Sequence, residues 1–361
     1  MRAWLRTTVT AVVMALGATA VAGEPSFEQV NLVSDQPGHA KFTDADLVNA
    51  WGIAHSPTSP WWVANNGSNT ATLYNGDGDK QALTVSVPGD PTGQVFNPTN
   101  KFVVSDMNGH SGPSVFIFAT EDGTVLGWNP NVPPPSPSTQ AFVMYDGSDE
   151  GDVYKGLALA TDCHGRSRLY ATDFHNGRIV VLDESFDEVE LPHHAFKDRD
   201  RKDPLPRGYA PFGIAVFGDH VFVTYALQDA DKHDDVAGPG HGFIDEYELD
   251  GDFVRRVASR GVLNSPWGLA LGPRSFGIFT DDLIVGNFGN GKIHAFAHDG
   301  WGRYYFDGTL SNKHGRPIVI DGLWSIMPGN DAGAGSSRDL FFSEGPDGEM
   351  HGLFGFLKRD Y

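Results

Sequence analysis

The chain is nearly free of cysteine. Cys163 is the single one in 361 residues, so no intramolecular disulfide can form and stability has to come from packing. It sits in Thr161-Asp162-Cys163-His164-Gly165, a turn between strand-like runs. With no partner at a fixed spacing it reads as an inert thiol rather than a nucleophile. Basic residues are scarce as well: 26 Lys and Arg stand against 46 Asp and Glu, for a net charge of −20. That balance excludes a phosphate-neutralising surface, and no nucleic-acid partner is expected. It favours solubility and the binding of cations. Beyond residue 22 no apolar run is long enough to span a bilayer, so no membrane span is expected. Convincing helical periodicity is missing too. So are a Gly-x-Ser-x-Gly elbow after a strand, a Walker loop and a usable dinucleotide fingerprint. Their absence removes the α/β hydrolases and nucleotide enzymes as classes.

The first 22 residues stand apart. Arg2 and Arg6 form a basic start, residues 8–21 are uncharged and mostly apolar, and Ala20-Val21-Ala22 gives a small-x-small cleavage pattern. This is the pattern of a secretory signal peptide cut near Ala22. It predicts an exported protein, periplasmic or extracellular. Residues 23–361 then form a single domain, expected to be a monomer.

What the chain has in quantity is glycine, 44 residues of it, and a repeat. One short phrase opens an extended apolar run six times. It reads Asn49-Ala50-Trp51-Gly52-Ile53-Ala54, Asp90-Pro91-Thr92-Gly93-Gln94-Val95 and Val153-Tyr154-Lys155-Gly156-Leu157-Ala158. It returns as Ala210-Pro211-Phe212-Gly213-Ile214-Ala215, Ser265-Pro266-Trp267-Gly268-Leu269-Ala270 and Gly322-Leu323-Trp324-Ser325-Ile326-Met327. The steps between Trp51, Thr92, Lys155, Phe212, Trp267 and Trp324 are about 41, 63, 57, 55 and 57 residues, a period that signals a radial or solenoid repeat. Each phrase is followed by a β-branched or aromatic run, such as Leu283-Ile284-Val285-Gly286. An Asn-Gly or Asp-Gly turn comes next, and then a third strand such as Lys292-Ile293-His294-Ala295-Phe296. Asn-Gly and Asp-Gly between alternating runs predict type I′ hairpins.

The expected fold is all-β: a six-bladed β-propeller of four-stranded antiparallel blades. The last unit supplies three strands, and Phe27-Glu28-Gln29-Val30-Asn31-Leu32-Val33 can supply its fourth. That closes the ring and leaves no bare sheet edge. Two insertions, residues 129–140 and 229–241, interrupt the period without breaking its phase. The second carries Asp229, Asp231, Asp234 and Asp235. It lacks the spacing of an EF-hand loop and reads as a solvated acidic loop.

The units resemble NHL-type repeats, most clearly from Pro266-Trp267-Gly268-Leu269-Ala270 through Asn290-Gly291-Lys292-Ile293-His294-Ala295-Phe296. The chain from residue 23 onward is also similar to a family of secreted, largely uncharacterised bacterial propellers. Asn31-Leu32-Val33-Ser34-Asp35, Tyr154-Lys155-Gly156-Leu157-Ala158, Gly286-Asn287-Phe288-Gly289-Asn290-Gly291 and His351-Gly352-Leu353-Phe354-Gly355 carry that resemblance. It implies the fold and no activity.

In a propeller, equivalent positions of successive blades form rings around one mouth of the central channel. The opening ring is Trp51, Thr92, Lys155, Phe212, Trp267 and Trp324. A second ring, at the turn after the second strand, is Asn65, Thr120, Asp173, Tyr225, Asn287 and Glu344. Asn65, Asp173, Asn287 and Glu344 are hard oxygen donors of the kind calcium prefers, an arrangement similar in type to six-bladed lactonases. One calcium there would polarise a carbonyl and activate water. Asp173 and His351 are the candidate catalytic groups, with His175 and His294 near the same turns. The same Asn and Asp side chains can instead satisfy turn backbone. Trp51, Lys155, Phe212, Tyr225, Trp267 and Trp324 are the candidate ligand-binding set, an aromatic cup for a small molecule or glycan. Wedges between blades are the structural alternative. Two functions therefore stand: a binding or scaffold module using the aromatic mouth, or a calcium-dependent hydrolase or lyase.

Overall fold

The close approach of inner strands explains why the repeat is written in glycine. A Cβ on Gly268 would lie 2.6 Å from the Trp324 carbonyl oxygen of the next blade, and one on Gly156 would lie 3.0 Å from that of Phe212. Gly52 and Gly93 meet the Thr92 carbonyl and the Leu157 amide in the same way. Six inner strands can crowd around one axis only where the side chain at this position is absent or small.

The computed structural model describes residues 25–360. The signal peptide expected over residues 1–22, with its cleavage near Ala22, lies outside them. The described residues form a six-bladed propeller. The inner strands of the blades are Ala50–Ala54, Pro91–Phe96, Tyr154–Thr161, Tyr209–Phe217, Pro266–Leu271 and Leu323–Pro328. The first, second, fourth and fifth blades have four antiparallel strands each. Ser26–Ser34 pairs antiparallel with Leu353–Asp360 in the sixth blade, Phe27 opposite Arg359 and Val30 opposite Phe356. The N-terminal strand therefore fastens the ring as the sequence predicts, and a short parallel strand, Phe42–Thr43, extends this sheet to five.

The third blade departs from expectation with three strands, ending at Arg178–Leu182. The residues that follow contain Pro192, Pro204 and Pro206, and proline cannot donate to a strand ladder. They cross the blade edge irregularly, and Ala195 and Phe196 plug the wedge beside the fourth blade. The expected type I′ turns also differ. Asn66–Ser68 and Phe288–Asn290 are short helical turns closed by Asn69 and Gly291 in the left-handed region, and of the expected Asn-Gly and Asp-Gly pairs only Asp347-Gly348 has positive φ at both residues.

The core follows the radial plan. Six apolar clusters fill the wedges between successive blades, and a seventh lies on the axis. Side-chain hydroxyls stitch inner strands together: Thr92 donates to the Tyr154 carbonyl, Thr172 to that of Phe212, and Ser343 to that of Trp51. No helix among the described residues is long and apolar enough to cross a membrane.

Candidate functional site

The two rings come out in register. Ala50 pairs with Asn65, Pro91 with Thr120, Tyr154 with Asp173, Pro211 with Tyr225, Pro266 with Asn287 and Leu323 with Glu344. Each first member precedes an opening-ring residue, so all twelve ring residues sit at one end of the channel.

There the opening ring closes on itself. Trp51 stacks on Trp324 with ring centroids 3.6 Å apart, and Phe288 stacks on the same indole at 3.9 Å. Trp267 meets Trp51 and Trp324 edge-on at 6.5 and 5.8 Å, and Phe212 lies 5.8 Å from Trp324. Trp51 and Trp324 are each 1% exposed. The aromatic residues thus form an axial plug, and their faces are spent on one another rather than turned to solvent as a cup. Nor are they wedges between blades, for the contacts cross the channel. Tyr225 points elsewhere, its hydroxyl 2.6 Å from that of Tyr247.

The second ring serves its own blades. Asn65 donates to Thr70 and Thr72, and Thr120 bonds across its turn to Thr124. Asn287 accepts from the Asn264 amide and donates to the Val262 carbonyl. Asp173 accepts from the Val153 and Asn176 amides and pairs with Arg178 at 3.0 Å. Burial, with Asp152 beside it, pushes the Asp173 carboxyl up. Glu344 is pushed up to about 8 by burial, with the Asp321 charge adding to it. His351 is tied to Asp35 at 2.7 Å, and His294, bonded to Thr309, is held down to about 4 by burial. Asp173 and His351 stand in the third and sixth blades, each with partners of its own.

Above the plug lies a polar network that the ring positions only partly reveal. Lys155, 1% exposed, places its ammonium 5.3 Å from the Trp51 ring and pairs with Glu121 from the second blade and, at 3.1 Å, Asp234 from the fourth. Burial alone would lower Lys155, but the two carboxylates more than offset it and hold the ammonium above its ordinary value. Burial would likewise raise Asp234, yet Lys155 brings it below its usual range. Asn66 donates to Glu121 at 2.7 Å, and Asn49 donates to Asn66 and, at 2.8 Å, to Glu349 of the sixth blade. The Trp324 indole anchors Asn49 from below. On the outer side His233 meets Asp234 at 3.0 Å.

Glu349 is the unusual group of this set. Burial pushes its carboxyl up to about 7, the Asn49 bond opposing and the Glu121 charge adding. Its backbone has φ of 67° and that of Asn49 has φ of 47°, and non-glycine residues held there are uncommon and cluster at functional sites. The sequence offered Lys155 through its ring position, and Asp234 as part of an acidic run. It offered no functional signal for Glu121, Asn66 or Glu349, which lie in turns beyond the second-ring positions, nor for Asn49, which it showed only as the first residue of an opening phrase.

No protein-family model matches the chain. Among solved structures, a streptogramin B lyase is similar with a TM-score of 0.51 at 12% identity, over 92% of this chain and 97% of that one. A glucose dehydrogenase is similar with a TM-score of 0.51 at 13% identity, over 92% and 99%. Likeness at such identity speaks for the propeller fold alone. An uncharacterized protein of Acanthamoeba polyphaga mimivirus is 35% identical over 339 residues, 91% of this chain and 79% of its own length. A second from the same virus is 34% identical over 338 residues, 91% and 85% respectively. At that identity and coverage, the chain belongs to the same protein family as these two viral proteins.

Proposed function

We propose that the chain is an exported, monomeric propeller that takes a small molecule at the plugged mouth of its channel and acts on it by acid–base chemistry, as a hydrolase or lyase. The observation that carries this is Glu349, a half-buried carboxyl brought to about 7 beside the Glu121–Lys155–Asp234 ion-pair network. A carboxyl with that affinity can take a proton from a bound substrate and return it at neutral pH. Asn49 fixes one Glu349 oxygen and leaves the other for substrate. Lys155 neutralises Glu121 and Asp234, so the mouth is not a simple repulsive cluster of acids. His233 stands on the rim of this network, 3.0 Å from Asp234.

The calcium expected at this mouth fits poorly with the residues present. Asp173 and Asn287 are engaged within their blades, Asp173 and Glu344 lean towards protonation, and Asn65 alone keeps an unpaired oxygen, Oδ1, which is one donor where a calcium ion needs about six or more. The cluster of three acidic or histidine ligand atoms found among the described residues is Glu121, His233 and Asp234. Two of its carboxylate oxygens already hold the Lys155 ammonium, and no step is routed through a metal. A module that only binds a sugar or aromatic ring would stack it on exposed indole faces, and those are buried.

The test is a screen of lactones, esters and elimination-prone substrates against the wild type and Glu349→Gln. Turnover should rise with pH through about 7 and fall about 100-fold or more in the variant, with the melting curve retained. A variant that turns over like the wild type would remove Glu349 from the chemistry. Saturable ligand binding without turnover would leave a binding module.

A further inference from the structure

The crossing from the third blade to the fourth carries a loop that belongs to neither. No strand lies between Leu182 and Tyr209. The chain is fastened there first by Phe196, which packs in the wedge and donates its amide to the Gly251 carbonyl at 2.8 Å. It is fastened again by Leu205, half-buried against the same cluster. Between these anchors one guanidinium holds both shoulders of a turn. Arg256 of the fourth blade, its side chain buried against Asp245, pairs with Asp198 at 3.2 Å and donates to the Asp203 carbonyl at 3.0 Å. Arg260 donates to the Asp203 carboxylate at 2.7 Å, and the Leu205 amide donates back to Asp198.

What stands between the shoulders is basic and free. Arg199, Arg201 and Lys202 are exposed, and among the described residues none has a side-chain hydrogen bond or an ion pair. In a chain with 26 Lys and Arg against 46 Asp and Glu, such a run of unpaired cations stands out. The backbone is equally uncommitted. From 199 to 202 no N–H or C=O meets another backbone group, and the amides of Lys202 and Asp203 rest on the Asp200 carboxylate instead. An endoprotease draws its substrate into an extended strand. Here it can do so without breaking a ladder, which is the condition for nicking at a loop tip. Other exposed arginines do not offer this. Arg166 and Arg303 sit in tight turns between paired strands, and Arg316 precedes Pro317, whose ring occupies the nitrogen of the bond to be cut.

We propose that residues 199–202 are a processing site for an endoprotease with an acidic specificity pocket, cut between Arg201 and Lys202, and that the product is a closed propeller of two chains. Hydrolysis breaks the Arg201–Lys202 amide: the oxygen of water completes the Arg201 carboxylate, and the Lys202 nitrogen leaves as an amine. Two seams hold the pieces together. One is the wedge between the third and fourth blades, where Tyr170 and Val181 share a cluster with Val223 and Phe243, and where Thr172 donates to the Phe212 carbonyl. The other is the sixth blade, where Ser26–Ser34 pairs with Leu353–Asp360. Lys155 then lies on one chain and Asp234 on the other, so the polar mouth becomes an interface between chains. The site stands or falls independently of the acid–base reading of that mouth.

The experiment is limited digestion of the whole protein with trypsin, whose acidic pocket takes Arg and Lys, read by intact mass and gel filtration. The first cut should give one piece ending at Arg201 and one beginning at Lys202. The two should elute together at the volume of the uncut protein and separate only in denaturant. Arg201→Gln combined with Lys202→Gln, both on the exposed tip, should lose that cut while unfolding in urea like the wild type. Chymotrypsin, whose pocket takes large apolar side chains, should leave the segment whole, because Phe196 and Leu205 are held in the wedge. The proposal is overturned if trypsin first cuts another bond, if the double variant is nicked in this loop at the wild-type rate, if chymotrypsin cuts at the anchors, or if the nicked pieces separate without denaturant.

Discussion

Trp267 in the fifth blade donates its indole N–H to the backbone carbonyl of Lys155 in the third, 3.2 Å away across the channel. The two residues occupy equivalent places in the repeat, and the bond joins the buried plug to the residue that carries the polar network above it. Disturbing either layer should therefore be felt in the other.

Lys155→Met tests the upper layer. It leaves Glu121 facing a neutral side chain in a mostly buried place, and removing one partner of a buried pair costs about 3–5 kcal/mol. Because Asp234 is 63% exposed, a loss near the lower end, roughly 3 kcal/mol, is expected in urea unfolding. Adding Glu121→Gln should restore part of it. A double variant no more stable than the single one would mean the two carboxylates are not what Lys155 neutralises.

The same substitution bears on metals. In the wild type, calcium and chelator should both leave the melting temperature in place, because the ammonium already occupies the acidic mouth. In Lys155→Met the freed oxygens of Glu121 and Asp234, with His233 beside them, should make millimolar calcium stabilising. Calcium raising the melting temperature of the wild type as much as that of the variant would show a cation site independent of Lys155.

Glu344 and Glu349 should make stability fall as pH rises from about 4.5 to about 8. Both bind their protons more tightly when folded, at about 8 and about 7 against an ordinary 4.5. Their favourable contribution is thus fully present below about pH 4.5 and is lost as pH rises through 7 and 8. Glu344→Gln cannot ionise, so its stability relative to the wild type should improve by roughly 4 kcal/mol between about pH 5 and pH 9. Parallel pH profiles for the two proteins would mean that Glu344 ionises as an ordinary carboxyl.

The channel geometry makes a paired prediction about glycine. On Gly213 a Cβ would stand 2.8 Å from the Trp267 carbonyl carbon and closer still to its oxygen, whereas Gly300 has nothing within 4 Å of the same atom. Gly213→Ala should cost about 2 kcal/mol or more through overpacking against rigid backbone. Gly300→Ala should be near neutral. Equal melting temperatures for the two variants would refute the close approach of the inner strands.

The sequence by itself determined the architecture. Six inner strands converging on an axis need an absent or small side chain at the point of contact, so the opening phrase repeats with glycine in five copies and serine in the sixth, and can be counted. The same counting aligned both rings, down to the pairing of Ala50 with Asn65 and of Leu323 with Glu344. A residue's place along its own strand is local information, set by the two-residue period of the pleat. Which face of the channel those side chains seek, and whether they reach water, was decided by the tertiary structure. Three indoles and two phenyl rings from different blades meet across the axis, where stacking on one another removes their faces from water, so they form a plug and not a cup. Lys155 finds Glu121 and Asp234 at separations of 34 and 79 residues. Neither acid has a position in the repeat that marks it, since one lies in a turn and the other in an insertion. Only closure of the ring brings charges from different blades within bonding distance, and the buried ammonium in turn requires both of them.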